Sequence, residues 1–190
     1  MDYQTLACRI TGVTPLLMHN AQLADPLNPH AQAIKKISGK RNKTEADHEE
    51  LGRLEWLGSL YLAGGEPCIP GEIVEAALIE GAKKIKRGPQ ARAGIICDRM
   101  FPLDYEGPRD PNELWLDERF RLRAGVRVQR NRVIRTRPIF RDWAADLAID
   151  YLPSLLNESE VRDILITVGQ VVGIGDWRPR FGRFTVAEAA

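Results

Sequence analysis

Apolar residues recur along the chain with two periods, and these periods predict its secondary structure. The two-residue period of strands is clearest near the N-terminus, where Leu6, Cys8 and Ile10 alternate with more exposed residue types. The same alternation predicts strands over 3–13, 120–128, 133–140, 143–152 and 183–186. The strands 120–128 and 133–140 flank a short polar segment, 129–132, so they are expected to pair as a β-hairpin.

The helical period predicts three helices. Thr44 is expected to cap the first helix, which carries acidic residues in its first turn. The second helix is expected to begin with Pro70 at its first position, to bury a stripe at Val74, Ala77, Leu78, Gly81 and Ile85, and to end at Gly88-Pro89. A capping box at 157–160 predicts the third. Residues 20–43 are expected to form an irregular loop, and 95–116 a turn-rich segment with short strands.

With the acidic helix and the turn-rich middle set aside, the order of elements is strand, helix, strand, strand, helix, strand. This order predicts an α+β fold with a ferredoxin-like βαββαβ core. The length fits one domain over residues 1–190, with insertions at approximately 20–62 and 89–137. These insertions would hold the acidic helix and a protruding arginine-rich hairpin.

The composition narrows the class of protein. With 44% hydrophobic and 28% charged residues, most of the chain is expected to fold rather than remain disordered. The three cysteines form no CxxC pair, which is typical of free thiols in a reducing cytoplasm. The N-terminus lacks the pattern of a signal peptide, and no apolar run approaches the length of a membrane span. A cytoplasmic protein with no membrane partner is therefore expected.

The net charge of +1 hides a strong segregation of charge along the chain. Residues 45–55 carry five acids and one arginine, whereas residues 119–141 carry nine arginines and neither acid nor lysine. The two-residue period places Arg119, Arg121, Arg123 and Arg127 on one face of the first hairpin strand, provided that no bulge intervenes at 124–125. Arg130 and Arg132 lie at the predicted tip, and Arg135 and Arg137 share a face of the return strand.

Arginine binds phosphate with two parallel hydrogen bonds and stacks on bases, so this hairpin is predicted to bind nucleic acid. A solvated hairpin is the alternative. A second candidate site is the glycine-rich segment 173–184, in which arginines and aromatic residues are interleaved. Its predicted nucleic-acid contacts are Trp177, Arg178, Arg180, Phe181 and Arg183, with Trp177 the exposed stacking platform. A tight helix-to-strand turn packed by its aromatic residues is the alternative.

Three segments resemble the RAMP superfamily, the ferredoxin-like proteins that form the guide-RNA-binding backbone of CRISPR effector complexes. ITGVTPLLMHN resembles that family's opening strand, CIPGEIVEAALIEGAKK the start of its first core helix, and VGIGDWRPRFGRF its C-terminal glycine-rich loop. Glu72 stands where the family usually has serine and lysine. The resemblance implies a "thumb" hairpin between core strands, where residues 127–137 fall. It also implies an antiviral role, head-to-tail self-association into filaments and other effector-complex subunits as partners.

Catalytic chemistry has little support in the sequence. The three histidines lack metal-ligand spacing, so no metal, cofactor or catalytic residue is expected. Two weak candidates follow from the resemblance: His19, because some RAMP-like ribonucleases place a general base in that region, and Asp25, because RNA-cleaving backbone subunits carry an aspartate there. A structural histidine and a plain turn are the alternatives.

The sequence therefore predicts a non-catalytic subunit that coats single-stranded nucleic acid, with RNA expected before DNA. Two other classes remain open. One is a metal-independent endoribonuclease that uses His19. The other is a structural scaffold in which the arginines pair with acidic neighbours instead of phosphates.

Overall fold

The computed structural model describes residues 2–128 and 131–188, and these form an α+β fold with antiparallel sheets, as the sequence pattern predicts. The strands are β1 (Gln4–Gly12), β2 (Leu16–Leu17), β3 (Leu62–Ala63), β4 (Glu66–Pro70), β5 (Ile95–Ile96), β6 (Met100–Pro102), β7 (Arg121–Val128), β8 (Asn131–Phe140), β9 (Ala144–Tyr151) and β10 (Phe184–Glu188). The α-helices are α1 (Pro29–Ser38), α2 (Glu45–Ser59), α3 (Gly71–Lys84), α4 (Gly88–Gly94), α5 (Pro111–Leu116) and α6 (Glu158–Thr167). In the described ranges, no helix combines the length and the apolar character that crossing a membrane requires.

A four-stranded antiparallel sheet with the order β10-β1-β9-β5 forms the main layer. In its register Leu6 lies opposite Ile149 and Cys8 opposite Leu147, and all four side chains are buried. Alternate residues of a strand point to the same face, so this pairing places one apolar side of the sheet against the core. The predicted strands β1, β9 and β10 are confirmed, and β5 lies inside the predicted insertion 89–137.

The opposite face of this sheet is polar. Arg9 on β1 forms ion pairs with Asp146 at 2.9 Å and with Asp104, and Arg99 forms one with Asp150 at 2.9 Å. Three carboxylates here neutralise two arginines, so this face carries no surplus of positive charge for a polyanion.

Helices α3 and α6 pack together under the apolar face of the sheet. The predicted stripe of α3 is buried at Val74, Ala77, Leu78 and Gly81. An added Cβ at Gly81 would lie 2.5 Å from a methyl carbon of Val168, so glycine permits the close approach of the two segments. Two details of the prediction are wrong: the helix begins at Gly71 with Pro70 as its N-cap residue, and Ile85 lies beyond its end and is exposed.

A second layer of short sheets carries the arginine-rich hairpin. The strands β7 and β8 pair antiparallel, β2 continues that sheet in the order β2-β8-β7, and α2 packs along β8. Thr44 caps α2 with both hydrogen bonds of a capping box, as predicted for its N-terminus. Trp56 anchors the helix, because its indole N–H donates to the Phe120 carbonyl at 2.8 Å.

Residues 20–43 contain more regular structure than the sequence pattern predicts. A short 3-10 turn spans Ala21–Ala24, and α1 follows with the Asn28 side chain as its cap. The prediction of an irregular loop is therefore wrong. Ala31, Ile34 and Ile37 of α1 form a short stripe that is only half-buried, and the Asn28-Pro29 turn signal and the lysines around it favoured the prediction of a loop. The chain also continues past the predicted stop at Gly88-Pro89 into α4, where Pro89 occupies the first turn.

Candidate nucleic-acid interface

The hairpin is continuous and presents two different faces. Its register pairs Arg127 with Arg132, Gly125 with Ile134 and Arg123 with Thr136, so there is no bulge at 124–125. Paired residues of an antiparallel ladder lie on the same side. Arg123, Arg127 and Arg132 therefore share one side, which we call the outer hairpin face, with Ile134 between them at 58% exposure.

The outer hairpin face keeps much of its positive charge unneutralised. Among residues 2–128 and 131–188, no carboxylate lies within ion-pair distance of Arg123 or Arg132, and both side chains are exposed. Exposed guanidinium groups around an apolar side chain can bind phosphates and contact bases. Arg130, also predicted for this site, lies outside the described residues. Arg119 falls in a 3-10 turn before β7 and pairs with Asp117 at 2.7 Å, so it does not join the strand face.

Arg135 and Arg137 lie on the other side of the hairpin and are held by acids and hydroxyls. Arg135 pairs with Glu55, which is only 4% exposed and also accepts a hydrogen bond from the Thr136 backbone N–H at 3.2 Å. Arg137 donates to the Ser59 hydroxyl at 3.4 Å. These contacts fasten the base of the hairpin to α2, so both arginines have a structural role whether or not they meet a phosphate.

A cleft of about 550 Å³, the hairpin cleft, separates α1 from this inner side of the hairpin. Its apolar wall includes Ile34 and Val126. Its charged lining is Lys35, Arg135 and Arg137 against the single carboxylate of Glu55. The volume lies within the range of small-molecule sites and the charge is positive, so the cleft can accommodate an anionic group.

His19 stands between the hairpin cleft and a second cleft. Its Nε2 is 3.2 Å from Arg137 Nη2, and its Nδ1 is 3.7 Å from Asp176 Oδ2. A guanidinium can only donate, so Nε2 must accept and the ring proton belongs on Nδ1, facing the carboxylate. Burial, followed by the charge of Arg137, lowers the pKa of His19 below its ordinary value of 6.5. The lowered pKa favours the neutral imidazole.

The second cleft, the loop cleft, has a volume of about 390 Å³ and lies between α3 and the C-terminal glycine-rich loop. Glu72, Ile73 and Ala76 of α3 form one wall. Asp176 and Arg178 of the loop form the other. The Arg178 guanidinium is held by Glu80 at 3.3 Å. In contrast to the hairpin cleft, this cleft has two carboxylates and one arginine in its lining.

The C-terminal loop is fixed against the segment that follows β1. The Asp176 backbone N–H donates to the Leu17 carbonyl at 2.8 Å, and the Gly182 N–H donates to the Pro15 carbonyl at 2.8 Å. Gly182 adopts φ +74° and its added Cβ would lie 1.7 Å from the Ile174 carbonyl oxygen, which no other residue type permits. The loop is thus a rigid wall of the loop cleft.

The aromatic residues of this loop differ in exposure, and Trp177 is exposed, as the sequence analysis predicts. Trp177 is 39% exposed and lies at a tilt to the half-buried Phe181, with ring centroids 6.0 Å apart. Arg180 lies over the Phe181 ring at 5.8 Å. The exposed Arg183 donates from Nε to the Pro179 carbonyl at 2.9 Å. This exposed end of the loop offers stacking faces and cations to a ligand.

The structure brings together some of the predicted residues and separates others. Arg137 contacts His19, Arg135 lines the hairpin cleft with it and Arg178 lines the loop cleft with it, whereas the outer hairpin face is a separate surface. Asp25 lines neither cleft, and its carboxylate accepts from the Leu27 N–H at 2.9 Å in a plain turn. In the described part of the chain, no group of three or more metal-ligating side chains is placed to hold an ion.

The lining residues that the sequence reasoning missed include Lys35, Glu55, Tyr61 and Asp176. Asp176 had a signal, since it is an acid inside an arginine-rich glycine loop. Lys35, Glu55 and Tyr61 form no sequence motif. They reach the clefts only through the packing of their segments in the fold.

Comparisons with known proteins assign no family to this chain. No protein-family model matches the sequence, and the search of curated proteins finds no significant match.

Proposed function

We propose that this chain is a non-catalytic subunit that binds single-stranded nucleic acid, with RNA expected before DNA. The observation that carries the proposal is the outer hairpin face, where the exposed Arg123 and Arg132, which have no acidic partner among residues 2–128 and 131–188, lie on the same side as the exposed Ile134. Single strands are bound by this combination of cations along the backbone and planar or apolar groups against the bases. The hairpin cleft and the exposed end of the C-terminal loop add further cations and apolar or aromatic groups.

The topology supports a ferredoxin-like core and, with the sequence resemblance, a place in the RAMP superfamily. Such a core is a βαββαβ unit whose first and third strands are central in the sheet. Here β1 and β9 are central, β10 and β5 lie at the edges, and α3 and α6 pack on one side. Along the chain these elements follow the strand-helix-strand-strand-helix-strand order of the βαββαβ unit, as β1, α3, β5, β9, α6 and β10.

The proposal includes head-to-tail association of subunits along the strand. A head-to-tail contact between subunits gives an open filament when its rotation does not close into a ring. The acidic first half of α2 is a candidate surface for a neighbour's basic face, since Glu45 and Glu49 are exposed. We expect the affinity per site to rise with strand length. Glu45→Lys with Glu49→Lys should reduce this rise and leave binding to a short oligonucleotide intact.

Gel-shift titrations on short and long strands measure both quantities. Reversal of two acids on α5 and its following turn, Glu113→Lys with Glu118→Lys, gives the charge-matched control. If the α2 variant changes the affinity for short and long strands equally, α2 does not contribute to the contact between subunits.

A metal-independent endoribonuclease is the second candidate, favoured by the neutral imidazole of His19 in a cleft beside Arg137 and Asp176. Because the pKa of His19 is lowered, its base form is already populated below pH 6.5. Any cleavage should therefore speed up as the pH rises through this lowered pKa and level off above it. His19→Ala should abolish it, whereas His48→Ala on the exposed side of α2 should not. Undiminished cleavage by the His19 variant would exclude this candidate.

A further inference from the structure

The loop cleft has a composition that the binding of phosphates alone does not explain. Glu72 lies in the first turn of α3, and within residues 2–128 and 131–188 its carboxylate makes neither a hydrogen bond nor an ion pair. Asp176 faces the same space from the opposite wall, with a side chain 25% exposed. A carboxylate raises the free energy of a bound polyanion unless it accepts a hydrogen bond from it.

Both carboxylates share the cleft with the hydroxyl of Tyr61. The Tyr61 hydroxyl donates to the His19 carbonyl at 2.9 Å and lines the cleft between the two walls. Burial, and then the charges of Glu72 and Asp176, raise the pKa of Tyr61 to about 12. Glu72 and Asp176 line this cleft together with Tyr61, and the apolar side chains of Ile73 and Ala76 border the same space.

We propose that the loop cleft receives one nucleobase of the bound strand, with an amino-bearing edge of the base against Glu72 and Asp176. This inference rests on the proposed function and adds a base preference to it. Cytosine, adenine and guanine carry such an amino group. Uracil lacks one, so the cleft disfavours it.

The preference follows from donors and acceptors. Ionised carboxylates only accept hydrogen bonds, and cytosine presents its N4 amino group as a donor at the position where uracil or thymine presents a carbonyl acceptor. Uracil would thus place its O4 against a negative charge. Ile73 and Ala76 would provide apolar contact for the ring, and Arg178, which also lines the cleft, is the cation available to the adjoining phosphate.

Oligocytidine and oligouridine of about 15 nucleotides are the matched probes, since they carry the same phosphates and differ at the base edge. In anisotropy titrations at one salt concentration, the wild-type protein should bind oligocytidine about fivefold or more tightly than oligouridine. Glu72→Gln keeps the shape of the side chain but adds a donor, so it should bring the ratio close to one. Glu113→Gln removes the same charge outside both clefts and should keep the wild-type ratio.

Each outcome bears on a defined part of the account. Binding of both oligonucleotides with equal affinity would overturn the base preference while supporting the proposed function. A Glu72→Gln variant that retains the wild-type ratio would also overturn it. Failure to bind either oligonucleotide would contradict the proposed function itself.

Discussion

Gly182→Ala is expected to destabilise the protein by at least about 3 kcal/mol, because its backbone conformation and its surroundings both exclude a side chain. Gly182 has φ +74°, and the new Cβ would lie 1.7 Å from the Ile174 carbonyl oxygen and 2.7 Å from its carbon. These are backbone atoms that cannot rotate away. The loop would have to leave the segment after β1, with loss of the bonds from Ile174 N–H to the Gly182 carbonyl and from Gly182 N–H to Pro15.

Denaturant unfolding measures this cost, and Gly64→Ala is the matched control. Gly64 has φ +61°, yet nothing lies within 4 Å of an added Cβ. Its substitution therefore carries only the cost of a left-handed alanine, about 1–2 kcal/mol. Equal losses of unfolding free energy in the two variants would show that the C-terminal loop is not held against the fold as described. The loop would then not form a rigid wall of the loop cleft.

The second large effect is expected at the outer hairpin face. For single strands, log K falls with log salt by about 0.7 for each phosphate neutralised. If Arg123, Arg127 and Arg132 each bind one phosphate, replacing all three with alanine should flatten the slope by about 2 units and weaken binding by about 50-fold near physiological salt. The fold should be unaffected, because all three side chains are exposed.

Lys83→Ala with Lys84→Ala and Lys86→Ala is the control for the loss of charge alone. These three lysines are exposed at the C-terminal end of α3 and line neither cleft. If the lysine variant lowers the slope as much as the arginine variant, binding responds to net charge and the hairpin is not the site.

The elements found from the sequence are those with strong local signals. β1 and β9 each bury alternate residues, α3 buries a stripe, and the caps Thr44 and Asn157 mark the N-termini of α2 and α6. The helix α1 was missed because its apolar stripe is short and only half-buried, and β5 because two residues show no period. The arginine faces of the hairpin were predictable because a regular ladder preserves the alternation.

The clefts were not predictable, because they depend on contacts between distant segments. Glu55 reaches Arg135 across 80 residues, and His19 reaches Arg137 across 118. These pairs divide the arginines into some that fasten the hairpin to α2 and others that remain open to a ligand. A sequence that shows only the run of arginines cannot make this division, since it depends on which arginines reach the acid and the hydroxyl of α2.

The most direct measurement is a titration of the wild-type protein into a labelled single-stranded RNA at several salt concentrations, with a duplex of equal length in parallel. The account predicts tighter binding to the single strand and a log–log salt slope of about −2 or steeper, from at least three phosphates at the outer hairpin face. Absence of binding at low salt would contradict it, and so would an affinity that is independent of salt.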